Sequence, residues 1–132
     1  METSITFPGI AAIVPAARRL VRGILESSPQ APDAELVAAE LVSNAIRHTA
    51  SGADGGQFTI TIASKPGWAR IEVTDEGTGR WHPQPGDTGD DYGRGLALVA
   101  ALSNRFGHDV AGDGTQTAWA EITWPEREGD EA

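Results

Sequence analysis

The sequence contains no cysteine in its 132 residues. Disulfide bonds, thiol catalysis and zinc sites built on cysteine are therefore excluded. Histidines are also scarce, and His48, His82 and His108 lie too far apart to match the spacing of zinc ligands. Neither a disulfide framework nor a compact zinc site is expected to hold this chain together.

Basic residues are few, with 10 Lys and Arg against 19 Asp and Glu, which gives a formal net charge of −9. This charge repels phosphodiester backbones, so sequence-independent binding to nucleic acid is not expected. Any phosphate group must be held locally, by backbone N–H groups or by a metal ion.

Long apolar runs are absent as well, and none approaches the roughly 18 residues that would cross a bilayer. The apolar stretch at residues 9–17 follows no basic residue and is interrupted by Pro15, which argues against a signal peptide. We expect a cytoplasmic protein without membrane contact.

Apolar periodicity predicts one domain over residues 1–125, followed by a frayed acidic tail at 126–132. Asp33 is the predicted N-cap of the second helix. The pattern predicts an α+β two-layer sandwich, in which helices cover one face of a mostly antiparallel sheet. Strands are predicted at 4–8, 58–64, 69–75 and 117–123, helices at 15–27, at 34–49 and within 93–107, and a long loop at 76–92.

The stretch "ELVSNAIRH" places Glu40, Asn44 and His48 four residues apart, so they share one helix face. Such a face suits a ligand lying along the helix: Glu40 as a general base and Asn44 as an oxygen ligand for Mg²⁺. The alternative is an ordinary amphipathic helix with a solvated face.

Asp75 ends a predicted strand, with the same parity as Ile71 and Val73, so its carboxylate should point inward. A buried carboxylate needs a hydrogen-bond donor, which an adenine amino group would supply. Gly77 and Gly79 would let the backbone approach a flat ring. An Asx turn with glycines for turn geometry explains the same residues.

The stretch "GRGLALVAAL" places Gly93, Arg94 and Gly95 before a helix, whose N-terminal N–H groups suit a phosphate. It is neither a Walker A loop nor a Rossmann fingerprint. A plain glycine-flanked helix start is the alternative. In "GTQTAW", Thr115 and Thr117 share strand parity and either could face a ligand.

Taken together, these stretches resemble the GHKL ATPases, whose ATP-binding fold is the Bergerat fold. "ELVSNAIRH" is similar to their N-box, "DEGTG" to their G1 box and "GRGLALV" to their G2 box, while "GTQTAW" falls where they keep an adenine-side threonine. The resemblance covers about residues 33–123. The opening "AARRLVRGIL" is similar to the first helix of bacterial anti-sigma factor serine kinases.

This resemblance implies a kinase that uses ATP and Mg²⁺. Such a kinase phosphorylates a serine or threonine of a STAS-type anti-anti-sigma partner, and sequesters a sigma factor when that partner is not engaged. Members of the family also form homodimers, so a homodimer is possible. The part of the long loop at residues 80–92 is expected to act as a lid that becomes ordered over bound nucleotide.

The resemblance also implies individual roles. Glu40 would be the catalytic base, Asn44 the Mg²⁺ ligand and Asp75 the partner of the adenine amino group. Arg94 would reach a phosphate or stay solvated, Thr117 is favoured over Thr115 beside the adenine, and His48 matches the N-box without a firm role. The glycines Gly77 and Gly79 would contact the nucleotide, and Gly93, Arg94, Gly95 and Leu96 would cover the phosphates.

Two other functions are open at this point. Pocket motifs require binding but not turnover, so the chain could be a non-catalytic, ATP-dependent interaction module. A stand-alone catalytic domain of a histidine kinase is disfavoured, because nothing before the N-box helix resembles a dimerising hairpin with a phosphoacceptor histidine.

Overall fold

The fold follows from apolar residues spaced at the strand and helix periods. The structure is a computed structural model and describes residues 1–48, 51, 55–77 and 97–125, with the side chain of His48 left out. Along the chain the elements are β1 (Glu2–Pro8), a 3₁₀ turn (Ala11–Ile13), α1 (Val14–Ile24), α2 (Ala31–His48), β2 (Gln57–Lys65), β3 (Trp68–Asp75), α3 (residues 97–102), β4 (Arg105–Val110) and β5 (Gln116–Thr123).

The described strands form one sheet in the order β1-β2-β3-β5-β4, and every neighbouring pair is antiparallel. Inward and outward residues alternate along β3, so Ala69, Ile71, Val73 and Asp75 share the buried face. The predicted inward parity of these positions is confirmed. It sets which side chains meet at the end of the strand.

Helices cover this buried face of the sheet. α1 packs on α2, and α2 lies against β3. Val21 from α1, Val42 from α2 and Val99 from α3 join one core with the inward residues of the strands. The predicted α+β two-layer sandwich with helices on one face is therefore confirmed. No helix within the described residues combines the length and apolar character needed to cross a membrane.

The other face of the sheet is polar and only partly buried. Pairs of hydroxyl groups bridge neighbouring strands there, as between Thr74 and Thr117 at 3.0 Å. Arg70 pairs with Glu121 at 3.0 Å and lies 4.3 Å from the ring centroid of Trp119. The two faces thus differ in chemistry, and a side chain's face follows from its position in the strand.

One predicted element is wrong. The third helix is predicted within residues 93–107, whereas it ends at residue 102 and Arg105–Val110 forms strand β4. β4 is an edge strand with mostly exposed side chains, so its sequence lacks the apolar alternation that would mark it. Its backbone pairing with β5 holds it in the sheet, although its side chains are mostly exposed.

The beginning of α2 also differs from the prediction. The helix begins at Ala31, so Asp33 lies in its first turn and is not its N-cap. Pro32 belongs to that first turn, where the missing N–H removes no helical hydrogen bond. The linker is correspondingly shorter, and a hydrogen bond from Gln30 N to Ser28 Oγ at 3.0 Å fixes the turn before the helix.

Candidate functional site

The end of β3 carries a buried carboxylate. Asp75 is 7% exposed, and Oδ1 accepts a hydrogen bond of 2.7 Å from the backbone N–H of Gly77. Burial raises the pKa of Asp75 above its ordinary value, although the Gly77 N–H and the nearby His108 oppose this and Glu76 adds to it. No other described group donates a hydrogen bond to this carboxylate, so it can accept one from a ligand.

Gly77 is fixed by backbone geometry. Its φ of 67° lies in the left-handed region that favours glycine. A Cβ at this position would also collide with the carbonyl oxygen of Gly114, in the turn before β5. The turn that holds Asp75 therefore requires glycine here, independently of any ligand.

Helix α2 contributes Glu40 and Asn44, one helical turn apart. Glu40 is half-buried, while Asn44 is only 9% exposed. The side-chain amide of Asn44 finds no hydrogen-bond partner among the described residues. Among the described residues, Ser103 Oγ is the only fully buried side-chain polar atom without a partner, so the Asn44 amide keeps some contact with solvent, where a ligand or metal ion could reach it. His48 belongs to α2 through its backbone.

Ser51 is hydrogen-bonded to the turn that follows β3. It is fully buried, and its Oγ accepts a hydrogen bond of 2.9 Å from the backbone N–H of Glu76. The carboxylate of Glu76 in turn accepts one of 2.7 Å from Gln57 N. Nothing in the local sequence pattern around this serine marks it as a structural residue of the site.

Gln116 is a second site residue that sequence reasoning missed. It pairs directly with Asp75 in the antiparallel ladder, shares its buried face and is 4% exposed. Its Oε1 lies 2.8 Å from Nε2 of His108 on β4. The only signal in the sequence was the alternation of inward and outward residues along β5. It identifies Gln116 only when the pairing of β3 with β5 is known.

The register places the two candidate threonines elsewhere. Thr117 pairs with Thr74 on the opposite face of the sheet from Asp75, where the two hydroxyls lie 3.0 Å apart. The hydroxyl of Thr115 donates to Asp113 at 2.7 Å in the preceding turn. The adenine contact proposed for Thr117 stays a prediction, but this register does not favour it.

The remaining predicted site residues lie outside the described part of the chain. They are Gly79, Gly93, Arg94, Gly95 and Leu96, together with the predicted loop at 80–92. Within the described residues, no three His, Asp or Glu side chains gather into a group that could hold a metal ion.

The fold and this site define a small α+β domain with a buried carboxylate at the end of a central strand, and the helix that packs on this strand carries Glu40 and Asn44. Residues 9–120 match the family described as Histidine kinase-like ATPase domain. The chain belongs to this family, whose domains bind ATP. The GHKL resemblance drawn from the sequence motifs is thereby confirmed.

Known structures agree with the fold. The crystal structure of the SiaB-SiaC complex from Pseudomonas aeruginosa contains a chain that superposes with a TM-score of 0.64, at 16% sequence identity, over 91% of this chain and 88% of that chain. Identity this low supports the fold alone. No curated protein matches the sequence.

Proposed function

We propose that this protein is an anti-sigma regulator that uses Mg-ATP to phosphorylate a serine or threonine of a STAS-type anti-anti-sigma partner. One observation supports the proposal: Glu40 and Asn44 lie one turn apart on α2, which packs against β3, the strand that ends at the buried Asp75. The proposal assigns the base, metal and adenine positions of an ATP site to these three residues.

Each of these residues has a distinct task. Asp75 accepts a hydrogen bond from the adenine amino group, which replaces the water lost on burial. Asn44 holds Mg²⁺ through its amide oxygen, a ligand type that this ion accepts. The bound ion would neutralise charge on the phosphates. Glu40 accepts the proton of the attacking hydroxyl, and its half-buried position leaves it accessible to a partner's side chain.

The partner's part in the proposal has separate support. The structural neighbour was crystallised in a two-protein complex, which directs the search toward a protein partner. The sequence resemblance to anti-sigma factor kinases directs it to a STAS-type protein and a sigma factor. Gly93 to Leu96 would cover the phosphates. A homodimer would agree with the tendency of this family to form homodimers.

The test is transfer of γ-phosphate from Mg-ATP to a STAS-type protein, with wild type compared with Glu40→Gln. Removing a general base should slow transfer about 10²- to 10⁴-fold while ATP still binds. The control is Glu26→Gln, which removes the same charge from an exposed position after α1 and should transfer like wild type.

Three outcomes would contradict the proposal. Transfer that survives Glu40→Gln would take the base role away from Glu40. Tight ATP binding without transfer, combined with nucleotide-dependent sigma binding, would identify an interaction module instead. An acid-labile phosphate appearing on the chain itself would point to histidine kinase chemistry.

A further inference from the structure

The side chain opposite Asp75 is polar although it lies inside the sandwich. Gln116 and Asp75 are directly paired residues of β5 and β3 on the same face, so their side chains are neighbours about 5 Å apart at Cβ. Gln116 is 4% exposed, and it follows the turn that contains Gly114. Apolar residues occupy the inward positions further along β5. The buried amide beside the proposed adenine position therefore requires an explanation other than core packing.

The structure places the oxygen of this amide toward His108. An amide oxygen only accepts hydrogen bonds, so the 2.8 Å contact between His108 Nε2 and Gln116 Oε1 requires the ring to donate. The amide nitrogen of Gln116 is thereby turned toward Gly77, where it lies 3.6 Å from the point that a Cβ on Gly77 would occupy. No described group accepts a hydrogen bond from this nitrogen.

We propose that Asp75 and Gln116 together read the edge of the purine base, with Gln116 as the second specificity residue. This inference rests on the proposed function, in which Asp75 meets the base. Asp75 offers an acceptor and the amide nitrogen of Gln116 offers a donor. Adenine presents the complementary pair, a donating 6-amino group beside the accepting N1. Guanine and hypoxanthine present the reverse, an accepting O6 beside a donating N1–H, and are rejected.

His108 is a positioning residue in this arrangement. It does not touch the base, but it keeps the amide of Gln116 from rotating by half a turn, which would present oxygen in place of nitrogen. Its loss should therefore reduce the discrimination between bases more than it reduces binding as such. A side chain of similar reach with an N–H donor should restore the discrimination.

The experiment measures equilibrium binding of ATP and of inosine triphosphate, both with Mg²⁺, by titration calorimetry. Wild type should prefer ATP by about a hundredfold, since each mismatched buried hydrogen bond costs about tenfold or more. Gln116→Glu keeps the size of the side chain and the bond from His108 but removes the donor. It should lower ATP affinity about ten- to a hundredfold. Gln30→Glu, the same exchange at the start of α2, should change nothing.

Three further variants separate this inference from a general loss of structure. The double variant Asp75→Asn with Gln116→Glu reverses both groups and should prefer inosine triphosphate, a gain that misfolding cannot produce. His108→Ala should reduce the preference for ATP about tenfold, and His108→Gln should restore it.

The outcomes distinguish the two proposals. If wild type prefers ATP and Gln116→Glu retains both affinity and preference, the role of Gln116 is overturned while the ATP site stands. If folded wild type binds neither nucleotide, the proposed function fails and the reading of the base fails with it.

Discussion

The ladder between β3 and β5 has two ends that differ in kind, although both lie on the same buried face. At one end the paired residues are apolar, and at the other end they are a carboxylate and an amide. The apolar pairs are Ala69 with Ile122, Ile71 with Ala120 and Val73 with Ala118, and the polar pair is Asp75 with Gln116.

This difference separates stability from function along one pair of strands. Burying an apolar pair lowers the free energy of the folded state, whereas burying a polar group without full hydrogen bonding raises it by about 1–3 kcal/mol. Asp75 carries this cost, as its raised pKa shows. The apolar end therefore stabilises the sandwich, and the proposed function explains the polar end by the base that it would bind. Substitutions at the apolar end should lower the stability but not the ATP affinity, and substitutions at the polar end should lower the ATP affinity but not the stability.

The largest effect is expected from Ile71→Ala at the apolar end. Ile71 is fully buried, so the lost contacts and the cavity should lower the free energy of unfolding by about 2–5 kcal/mol. Denaturant unfolding measures this change. ATP affinity of the folded fraction should stay close to that of wild type. A large loss of affinity in folded protein would show that the two ends are coupled.

The second effect is expected from Asp75→Asn at the polar end. The amide keeps an oxygen for the Gly77 N–H but turns a donor toward the adenine amino group. ATP affinity should therefore fall about ten- to a hundredfold, measured by calorimetry, without loss of thermal stability. Unchanged affinity would remove Asp75 from the site, and a large drop in Tm would make it a structural residue like Ile71.

A smaller effect concerns pH. The folded-state pKa of Asp75 lies above the ordinary 3.8, so its contribution to stability is fully present below that value and is lost as pH rises through the folded pKa. Asp75→Asn does not titrate. Its Tm relative to wild type should therefore increase from about pH 4 to pH 7 without nucleotide. A decrease would mean that the Gly77 N–H and His108 outweigh burial.

Much of the apolar end could be predicted from the sequence. The alternation of Phe58, Ile60 and Ile62 and that of Ala69, Ile71 and Val73 predict two strands with the correct inward faces, and all six residues are buried. Local periodicity is enough for these two strands, because positions that face the core require apolar residues. The inward carboxylate of Asp75 could be predicted for the same reason, by extending the parity of β3.

The residues around Asp75 could not be predicted in the same way. Gln116 becomes a site residue only through the pairing of β3 with β5, and His108 only through β4, whose exposed side chains leave no apolar pattern. Ser51 acts through a hydrogen bond to a backbone group 25 positions away. These relations depend on strand order and register, which a single sequence does not specify.

The smallest effect is expected from Thr117→Val, which tests the register directly. The motif resemblance places Thr117 beside the adenine, whereas its pairing with Thr74 places it on the far face of the sheet. Valine suits a strand, and one hydroxyl pair contributes about 0.5–1.5 kcal/mol, so stability should change little. ATP affinity should not change, whereas it should fall with Gln116→Glu, one residue earlier. A fall in ATP affinity for Thr117→Val alone would mean that the register of β5 shifts by one residue when nucleotide binds, because a one-residue shift moves every side chain of a strand to the other face.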